Sequence, residues 1–290
     1  MSWRTVVISK RAKLDLHLNH LVVRGEETSK IFLGDIAILI IETTAVSITA
    51  CLLNELIKQK IKVIFCDEKR NPSSELIPYY GSHDTSDKVR LQIKWSSSIK
   101  KIVWTEIVAE KIRQQSFILK MIQSPQYELL QQYFSEVKLN DESNREGHAA
   151  KVYFNALFGL DFSRSMDTPY NAALNYGYTI LLSAFNREIT ANGYITQLGL
   201  FHDNIFNPFN FASDLMEPFR PLIDWTVYIM KPEKFEREEK LKVINVLNQK
   251  IYINEQEHYV NNAIKIYVRS ILDALNEKDI SKIRFYKNEL

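Results

Sequence analysis

The spacing of apolar residues changes once along this chain of 290 residues, and the change limits the fold to two unlike parts. Up to residue 67, short runs rich in β-branched and aromatic residues alternate with turn residues, which is typical of strands. Beyond residue 87, apolar residues recur at helical intervals. Between them, residues 68–86 include an Asn-Pro-Ser-Ser run, Pro78 and Gly81, as linkers do. The pattern predicts an α+β protein in which a small N-terminal β-rich domain precedes a large all-α C-terminal domain.

The predicted elements set the domain boundaries. Strands are predicted at residues 3–9, 12–18, 20–24, 30–33, 36–43 and 62–66, with one helix at 47–59. Further helices are predicted at residues 87–95, 99–123, 125–134, 143–158, 169–192, 209–216, 220–230, 236–249 and 257–276. We therefore predict a β-rich domain at residues 1–75, a linker at 76–87 and a helical domain with a single core at 88–290.

Composition argues against several classes of protein. Hydrophobic residues make up 46% of the chain, which is enough for a substantial core. Glycine occurs eight times and forms neither a phosphate loop nor a dinucleotide fingerprint, which argues against an enzyme that uses NTP or NAD. Cys51 and Cys66 lack a spacing suited to zinc, and we predict two buried free thiols. Without a signal peptide, and with no apolar run longer than residues 36–41, a cytoplasmic protein with no membrane segment is expected.

Basic residues are concentrated in one window although the net charge is only +2. Residues 88–120 hold eight lysines and arginines against two glutamates, which leaves this window at +6 and the rest of the chain at −4. Such asymmetry is compatible with a face that binds phosphates. A solvated helix face would give the same pattern, so both interpretations stay open.

The run Asp-Leu-Met-Glu-Pro-Phe-Arg-Pro at residues 214–221 places charges inside an otherwise apolar segment. In a helix, Asp214 and Glu217 would share one face. Two adjacent carboxylates repel each other unless a cation or a shared proton relieves them, and a divalent metal is the natural candidate. In the structural alternative, Asp214 caps a helix, Glu217 pairs with Arg220, and the prolines mark helix boundaries.

Glu146 and His202 are further candidates for the same site. Ser143-x-x-Glu146 predicts a capping box at a helix start, which would need no catalytic role. Glu146 also begins the inward stripe of that helix, at residues 149, 150, 153 and 157, and a carboxylate in such a place needs a cationic partner. His202 precedes an aromatic loop, and a lone histidine more often has a structural or surface role.

Taken in order, Glu146, the run Asn-Ala-Ala-Leu-Asn-Tyr-Gly-Tyr at 171–178, His202 and the run at 214–221 resemble the CRISPR-associated spacer-acquisition integrases. The resemblance covers the full length. It implies that Glu146, His202 and Glu217 hold the metal and are the catalytic residues, with Asp214 as an auxiliary acid. Many members carry Asp-Pro shortly after the glycine that matches Gly193, whereas this chain reads Tyr-Ile-Thr-Gln-Leu-Gly there. The departure affects the local path to His202.

One imidazole and two carboxylates suit Mg²⁺ or Mn²⁺ better than a closed structural zinc. The resemblance implies that the 3′-hydroxyl of a short foreign DNA duplex attacks a phosphodiester at the border of a CRISPR repeat. This transesterification needs no ATP, and water in place of the hydroxyl would give endonuclease activity. Two alternatives stay open, a metal-dependent nuclease for branched DNA and a catalytically silent DNA-binding scaffold.

Insertion of a duplex requires two strand transfers, so more than one copy of the chain is expected. The resemblance implies that the β-rich domains pair two chains into a homodimer. It also implies a four-to-two complex with a small ferredoxin-like adaptation partner, and the effector nuclease of a type II system is a further candidate partner. DNA phosphate contacts are predicted for six basic residues, Arg145, Lys151, Arg187, Arg220, Lys111 and Arg113.

Overall fold

Two four-stranded sheets and an α-helix form the N-terminal part of the computed structural model, which describes residues 4–79 and 81–287. The elements are β1 Arg4–Ile8, β2 Ala12–His17, β3 His20–Arg24, β4 Thr28–Phe32, β5 Ile36–Ile41, β6 Val46–Ile48, α1 Ala50–Lys58, β7 Lys62–Cys66 and β8 Pro72–Glu75. The first sheet has the order β1-β5-β7-β8, with β8 antiparallel at its edge. The second has the order β4-β3-β2-β6, with β6 parallel to β2.

Strand β5 lies between two apolar cores. All six of its residues are buried, as in a parallel strand that is covered on both faces. Leu39 and Ile41 pack with residues of the second sheet and α1. Ile38 and Ile40 point the opposite way, because side chains alternate along a strand, and they pack with the C-terminal helices. The first sheet therefore joins the two parts of the molecule.

Helices dominate from residue 85 onward. They are α2 Thr85–Lys94, α3 Ser97–Met121, α4 Gln126–Ser135, α5 Arg145–Phe158, α6 Pro169–Ala191, α7 Asn210–Leu215, α8 Arg220–Met230, α9 Arg237–Ile244 and α10 Val260–Glu277. Helix α3 is buried along most of its length and contacts α4, α5, α7, α8 and α10. A helix that is buried on several sides needs apolar residues around its circumference. This central position brings α3 against the segments that carry Glu146, Asp214 and Glu217. It also brings α3 against the loop at residue 202, because Trp104 stacks on Phe201 and lies edge-on to His202.

The prediction of an all-α C-terminal domain is wrong in one region. A three-stranded antiparallel sheet is formed by β9 Lys250–Ile253, β10 Gln256–Tyr259 and β11 Tyr286–Lys287, in the order β10-β9-β11. Asn254 and Glu255 connect β9 to β10, and both have positive φ angles, 53° and 64°. This combination gives the tight turn that suits the twist of a hairpin. The helices predicted at 236–249 and 257–276 are accordingly shorter, because α9 ends at Ile244 and α10 begins at Val260.

Three smaller findings concern the predicted linker, the cysteines and membrane spans. Residues 72–75 of the linker-like segment form strand β8, and Cys51 is exposed, contrary to prediction. Cys66 is buried, and its burial raises the pKa of the thiol to about 12.

No helix among residues 4–79 and 81–287 is long and apolar enough to cross a membrane. The domain boundaries stay a prediction, and residue 3 of the first predicted strand and residue 80 of the linker lie outside the described residues.

Candidate metal centre

Glu146 lies in the first turn of α5, but it does not belong to a capping box. The backbone N–H groups of Arg145 and Glu146 donate to the two carboxylate oxygens of Asp141, at 2.7 and 3.0 Å. The Ser143 hydroxyl donates elsewhere, to the carbonyl oxygen of Glu136 at 3.3 Å. Because Asp141 already satisfies the first N–H groups of the helix, the predicted box is wrong. The carboxylate of Glu146 is left for contacts outside its own helix.

Glu217 is buried in a short 3₁₀ turn, Glu217–Phe219, that separates α7 from α8. One of its carboxylate oxygens, Oε2, accepts from Lys111 Nζ at 2.5 Å, and the other, Oε1, accepts from Arg220 Nε at 2.9 Å. Burial alone would raise the pKa of Glu217, but the charges of Arg220 and Lys111 lower this pKa to about 2. The Glu217–Arg220 pair of the structural alternative is therefore present, and Glu217 is ionised at neutral pH.

Lys111 connects the two glutamates. Its ammonium, on central helix α3, lies 2.6 Å from Glu146 Oε1 and 2.5 Å from Glu217 Oε2. Burial would lower the pKa of Lys111, yet Glu217 and Glu146 raise it above its ordinary value, so the side chain is charged. Two carboxylates from separate segments thus converge on a single cation. Lys111 is also the cationic partner that the inward-facing position of Glu146 required.

Asp214 holds the histidine rather than facing the glutamates. Its fully buried carboxylate accepts the backbone N–H groups of Leu200, Phe201 and His202 at 2.5, 3.1 and 3.1 Å. The imidazole Nδ1 of His202 lies 2.6 Å from Asp214 Oδ1, and this hydrogen bond raises the pKa of His202. Because the carboxylate can only accept, Nδ1 carries the proton and Nε2 of the neutral ring keeps its lone pair.

Gly199 makes this arrangement possible. A Cβ atom at this position would lie 2.3 Å from the carbonyl oxygen of His202 and 2.7 Å from Asp214 Oδ2. Both distances are shorter than non-bonded contacts allow. The glycine is therefore required for the close approach of the loop to the carboxylate.

The donor atoms of Glu146, Glu217 and His202, two carboxylates and one imidazole, are of the kind that divalent cations prefer. Among the described residues, no group of three or more His, Cys, Asp or Glu side chains is placed to hold a metal ion as the side chains stand. Glu146 and Glu217 nevertheless converge on one positive charge, the Lys111 ammonium. Glu217 and Glu146 also contribute to the raised pKa of His202, so the imidazole lies within the field of both carboxylates.

A buried network behind Glu217 fixes the arginine that pairs with it. The guanidinium of Arg220 lies over the ring of Tyr178, 4.6 Å from its centroid. The Tyr178 hydroxyl donates a short hydrogen bond to Asp224, and burial raises the pKa of Asp224 to about 6. Tyr178 belongs to the Asn-Ala-Ala-Leu-Asn-Tyr-Gly-Tyr run, so this motif contributes to the centre by contacting Arg220.

The family described as CRISPR associated protein Cas1 matches residues 5–258. This chain belongs to the Cas1 family. The CRISPR-associated endonuclease Cas1 of Neisseria meningitidis serogroup C (strain 8013) is 35% identical over 291 residues, 98% of this chain and 96% of that protein. The family predicted from the motifs is therefore confirmed.

Solved structures show that the Cas1 chain shares its fold with proteins of low sequence identity. A casposase bound to integration product matches with a TM-score of 0.76 and 18% identity, over 96% of this chain and 91% of the other. A Cas6-RT-Cas1--Cas2 complex matches with a TM-score of 0.72 and 15% identity, over 97% of this chain and 36% of the other. The N-terminal strands and the helical C-terminal region fit this Cas1 fold.

The six basic residues predicted to contact DNA occupy different surroundings in this Cas1 chain. Lys111 and Arg220 are directed at Glu217, and the side chain of Lys151 is exposed. The other three form ion pairs with glutamates: Arg113 with Glu110, Arg145 with Glu136, and Arg187 with Glu188. Contact with DNA stays a prediction for all six.

Sequence reasoning did not assign Lys111, Tyr178 or Asp224 to the centre. A signal for Lys111 was available, because Glu146 on a buried stripe required a cation and the basic window contained one on a neighbouring helix. Tyr178 lay within a specific motif that had been given no role. For Asp224 the only signal was a carboxylate four residues after Arg220, one helical turn away.

Proposed function

We propose that this chain is a metal-dependent DNA integrase and endonuclease of CRISPR adaptation, which joins the 3′-hydroxyl ends of a captured duplex to the CRISPR repeat. The observation that carries the proposal is the convergence of Glu146 and Glu217 on one cation, close to an imidazole that Asp214 orients. Membership of the Cas1 family supports it, as does the 35% identical relative that is named an endonuclease.

Glu146, His202 and Glu217 would hold Mg²⁺ or Mn²⁺, the ions that prefer carboxylate oxygens with an imidazole. A bound ion of this kind stabilises the charge that develops on a phosphodiester during in-line displacement. Asp214 keeps the proton on His202 Nδ1, so that Nε2 stays available as a donor of its lone pair. Arg220 donates a hydrogen bond to Glu217 Oε1 and thereby limits the rotation of that carboxylate.

The chemistry requires no nucleophile from the protein. A bond forms between the 3′-oxygen of the incoming strand and the phosphorus of the target, while the bond from that phosphorus to the displaced 3′-oxygen breaks. The attacking hydroxyl loses a proton, and the displaced 3′-oxygen gains one. The number of phosphodiester bonds is unchanged, so no ATP is consumed. Attack by water at the same phosphorus would instead give a nick.

DNA and a Cas2-type protein are the proposed partners. The casposase is described as bound to integration product, and another solved neighbour is a complex that contains Cas2. For this chain we propose a homodimer formed through the β-rich part, and a four-to-two complex with the small partner. The basic residues of the helical part would contact the DNA backbone, which would make binding weaker at high salt.

The proposal is tested by strand transfer into a supercoiled repeat plasmid, with a 3′-hydroxyl duplex, Mn²⁺ and the small partner. We expect E146Q, H202A and E217Q each to reduce joined product to background, because each removes one metal ligand. E233Q, which changes an exposed carboxylate in the loop after α8, is the matched control and should retain activity. Circular dichroism checks that each variant is folded.

Three outcomes would contradict the integrase. Joined product from all three ligand variants, or the same yield in EDTA, would exclude the proposed centre. Cutting without joining, when the duplex carries a 3′-hydroxyl, would favour the nuclease for branched DNA. Binding of DNA with neither cutting nor joining would favour the silent scaffold.

A further inference from the structure

We propose that Lys111 is an internal counter-cation of the centre, which occupies the point shared by Glu146 and Glu217 and leaves it when a divalent ion binds. This inference rests on the proposed metal-dependent function and concerns the metal-free state of the same site. It assigns Lys111 a role in setting the affinity for metal and the stability of the metal-free protein.

The position of the ammonium carries the first step. Lys111 Nζ is the group that contacts both glutamates, at 2.6 Å from Glu146 Oε1 and 2.5 Å from Glu217 Oε2. Arg220 contacts Glu217 at its other oxygen, 2.9 Å away. A metal ion held by both glutamates would therefore take the place of Lys111, whereas Arg220 could stay where it is.

Burial strengthens the interaction between Lys111 and the carboxylates that it contacts. The side chains of Lys111 and Glu217 are 10% and 4% exposed, so water screens their interaction only weakly. Lys111 and Arg220 pair with Glu146 and Glu217, and Asp214 adds a third carboxylate beside His202, which gives the cluster −1 with a neutral His202. Without Lys111 the same cluster carries −2, which disfavours the metal-free fold and attracts a divalent ion more strongly.

The lysine side chain is suited to this exchange. Its ammonium is a compact charge on a flexible four-carbon stem, so it can move away from the shared point without a backbone change. Its Cα lies on α3, which is fixed by contacts with neighbouring helices on several sides. The cation can therefore move while the scaffold that carries it does not.

The experiment measures Mn²⁺ binding to the whole protein without DNA, by isothermal titration calorimetry, together with the melting temperature. K111M should bind Mn²⁺ about tenfold more tightly than the wild type or better, because a competing buried cation is gone. Its metal-free melting temperature should fall, and Mn²⁺ should raise it by more than it raises that of the wild type. K120M removes the same charge from an exposed position of the same helix and should behave as the wild type.

The outcomes separate this inference from the proposed function. Equal or weaker Mn²⁺ binding by K111M would overturn the counter-cation role and leave the metal centre intact. Failure of both the wild type and K111M to bind Mn²⁺ at millimolar concentration would overturn the metal centre as well. If K111M does not fold, K111Q serves the same test, because its neutral amide still donates hydrogen bonds to the carboxylates.

Discussion

At the scale of single residues, the centre depends on carboxylates with different tasks. Glu146 and Glu217 share a cation, whereas Asp214 accepts hydrogen bonds from the histidine and its loop. A bidentate carboxylate that accepts several N–H groups and an imidazole proton is an orienting group. Asp214 thus orients His202, which is compatible with the auxiliary role predicted for it. Its contribution to catalysis stays a prediction.

Replacement of Asp214 should change the titration of His202. D214N removes the charged acceptor of the Nδ1 proton, and we expect the pKa of His202 to fall, since the hydrogen bond to Asp214 is the main cause of its rise. A raised histidine pKa stabilises the fold at low pH, and this part is lost as the pH rises through the folded pKa. D214N should therefore lose stability most below that pKa.

NMR titration of the imidazole in the metal-free protein provides the measurement. D203N is the matched control, because Asp203 is the exposed neighbour of His202 and its replacement leaves the Nδ1 partner in place. A shift of the same size in both variants would show that net charge, and not the hydrogen bond, governs the histidine.

The sequence predicted these residues better than it predicted their contacts. Glu146 needed a cation because it starts a buried stripe, but Lys111 lies 35 positions earlier and meets it only through tertiary packing. The capping box failed because Asp141, outside the motif, reaches the same N–H groups. Local patterns identify the residue types, and long-range packing selects the partners.

At the scale of elements, the C-terminal strand β11 packs against the 3₁₀ turn that carries Glu217. Tyr286 is fully buried, and its hydroxyl donates to the carbonyl oxygen of Pro218 at 3.0 Å, next to Glu217. Its ring lies 4.8 Å from that of Phe219, and its own carbonyl accepts from Gln114 on α3 at 3.1 Å. This strand lies beyond residue 258, where the family match ends, yet it packs against the Glu217 turn.

Truncation of Tyr286 should destabilise the protein far more than its terminal position suggests. Y286F loses one hydrogen bond and should cost about 1 kcal/mol, because the ring still fills its site. Y286A leaves a cavity and should cost roughly 3–5 kcal/mol. Urea unfolding followed by circular dichroism measures both.

Tyr252 on β9 supplies the control for the tyrosine variants. Its hydroxyl donates to the Glu255 carbonyl at an exposed position, so Y252F should be nearly neutral. A Y286A protein as stable as Y252F would show that β11 contributes nothing to the fold.

The helices were predictable as elements, but the three-stranded sheet of β9, β10 and β11 was not. Long apolar periodicity marked α3 and α6, whose many turns give a strong signal. The pair β9 and β10 has four residues in each strand and a turn of Asn-Glu, which lacks the glycine that usually marks such hairpins. The third strand, β11, pairs with β9 from far along the chain, and local sequence does not reveal such a pairing.

At the scale of the whole molecule, the two parts share a core through β5. Ile40 packs with the helices and Leu39 with the second sheet and α1. The sequence predicted a linker between separate parts, and it could not show this contact, because a fully apolar strand does not reveal what covers each face.

Unfolding should therefore be a single cooperative transition. I40A and L39A each remove a fully buried side chain and should cost about 2–5 kcal/mol, whichever core they face. Far-ultraviolet circular dichroism reports mainly the helices, whereas tryptophan fluorescence reports four tryptophans, of which Trp95, Trp104 and Trp225 belong to the helical part. Both signals should shift to the same lower urea midpoint in each variant.

Two separate transitions would contradict a shared core. The informative variant is L39A, because it lies on the face away from the helices. If L39A lowered the urea midpoint of only part of the circular dichroism change and left the fluorescence midpoint unaltered, the sheets would unfold independently of the helices.

The loop that Asp214 holds has a consequence for the order in which the centre is assembled. Three backbone N–H groups and the imidazole are fixed by one buried carboxylate before any metal ion arrives. The conformational entropy of His202 is thus lost on folding and not on binding. In the proposed metal centre the nitrogen ligand would therefore be immobilised before binding, and the remaining entropic cost would fall on the two glutamates and the lysine between them.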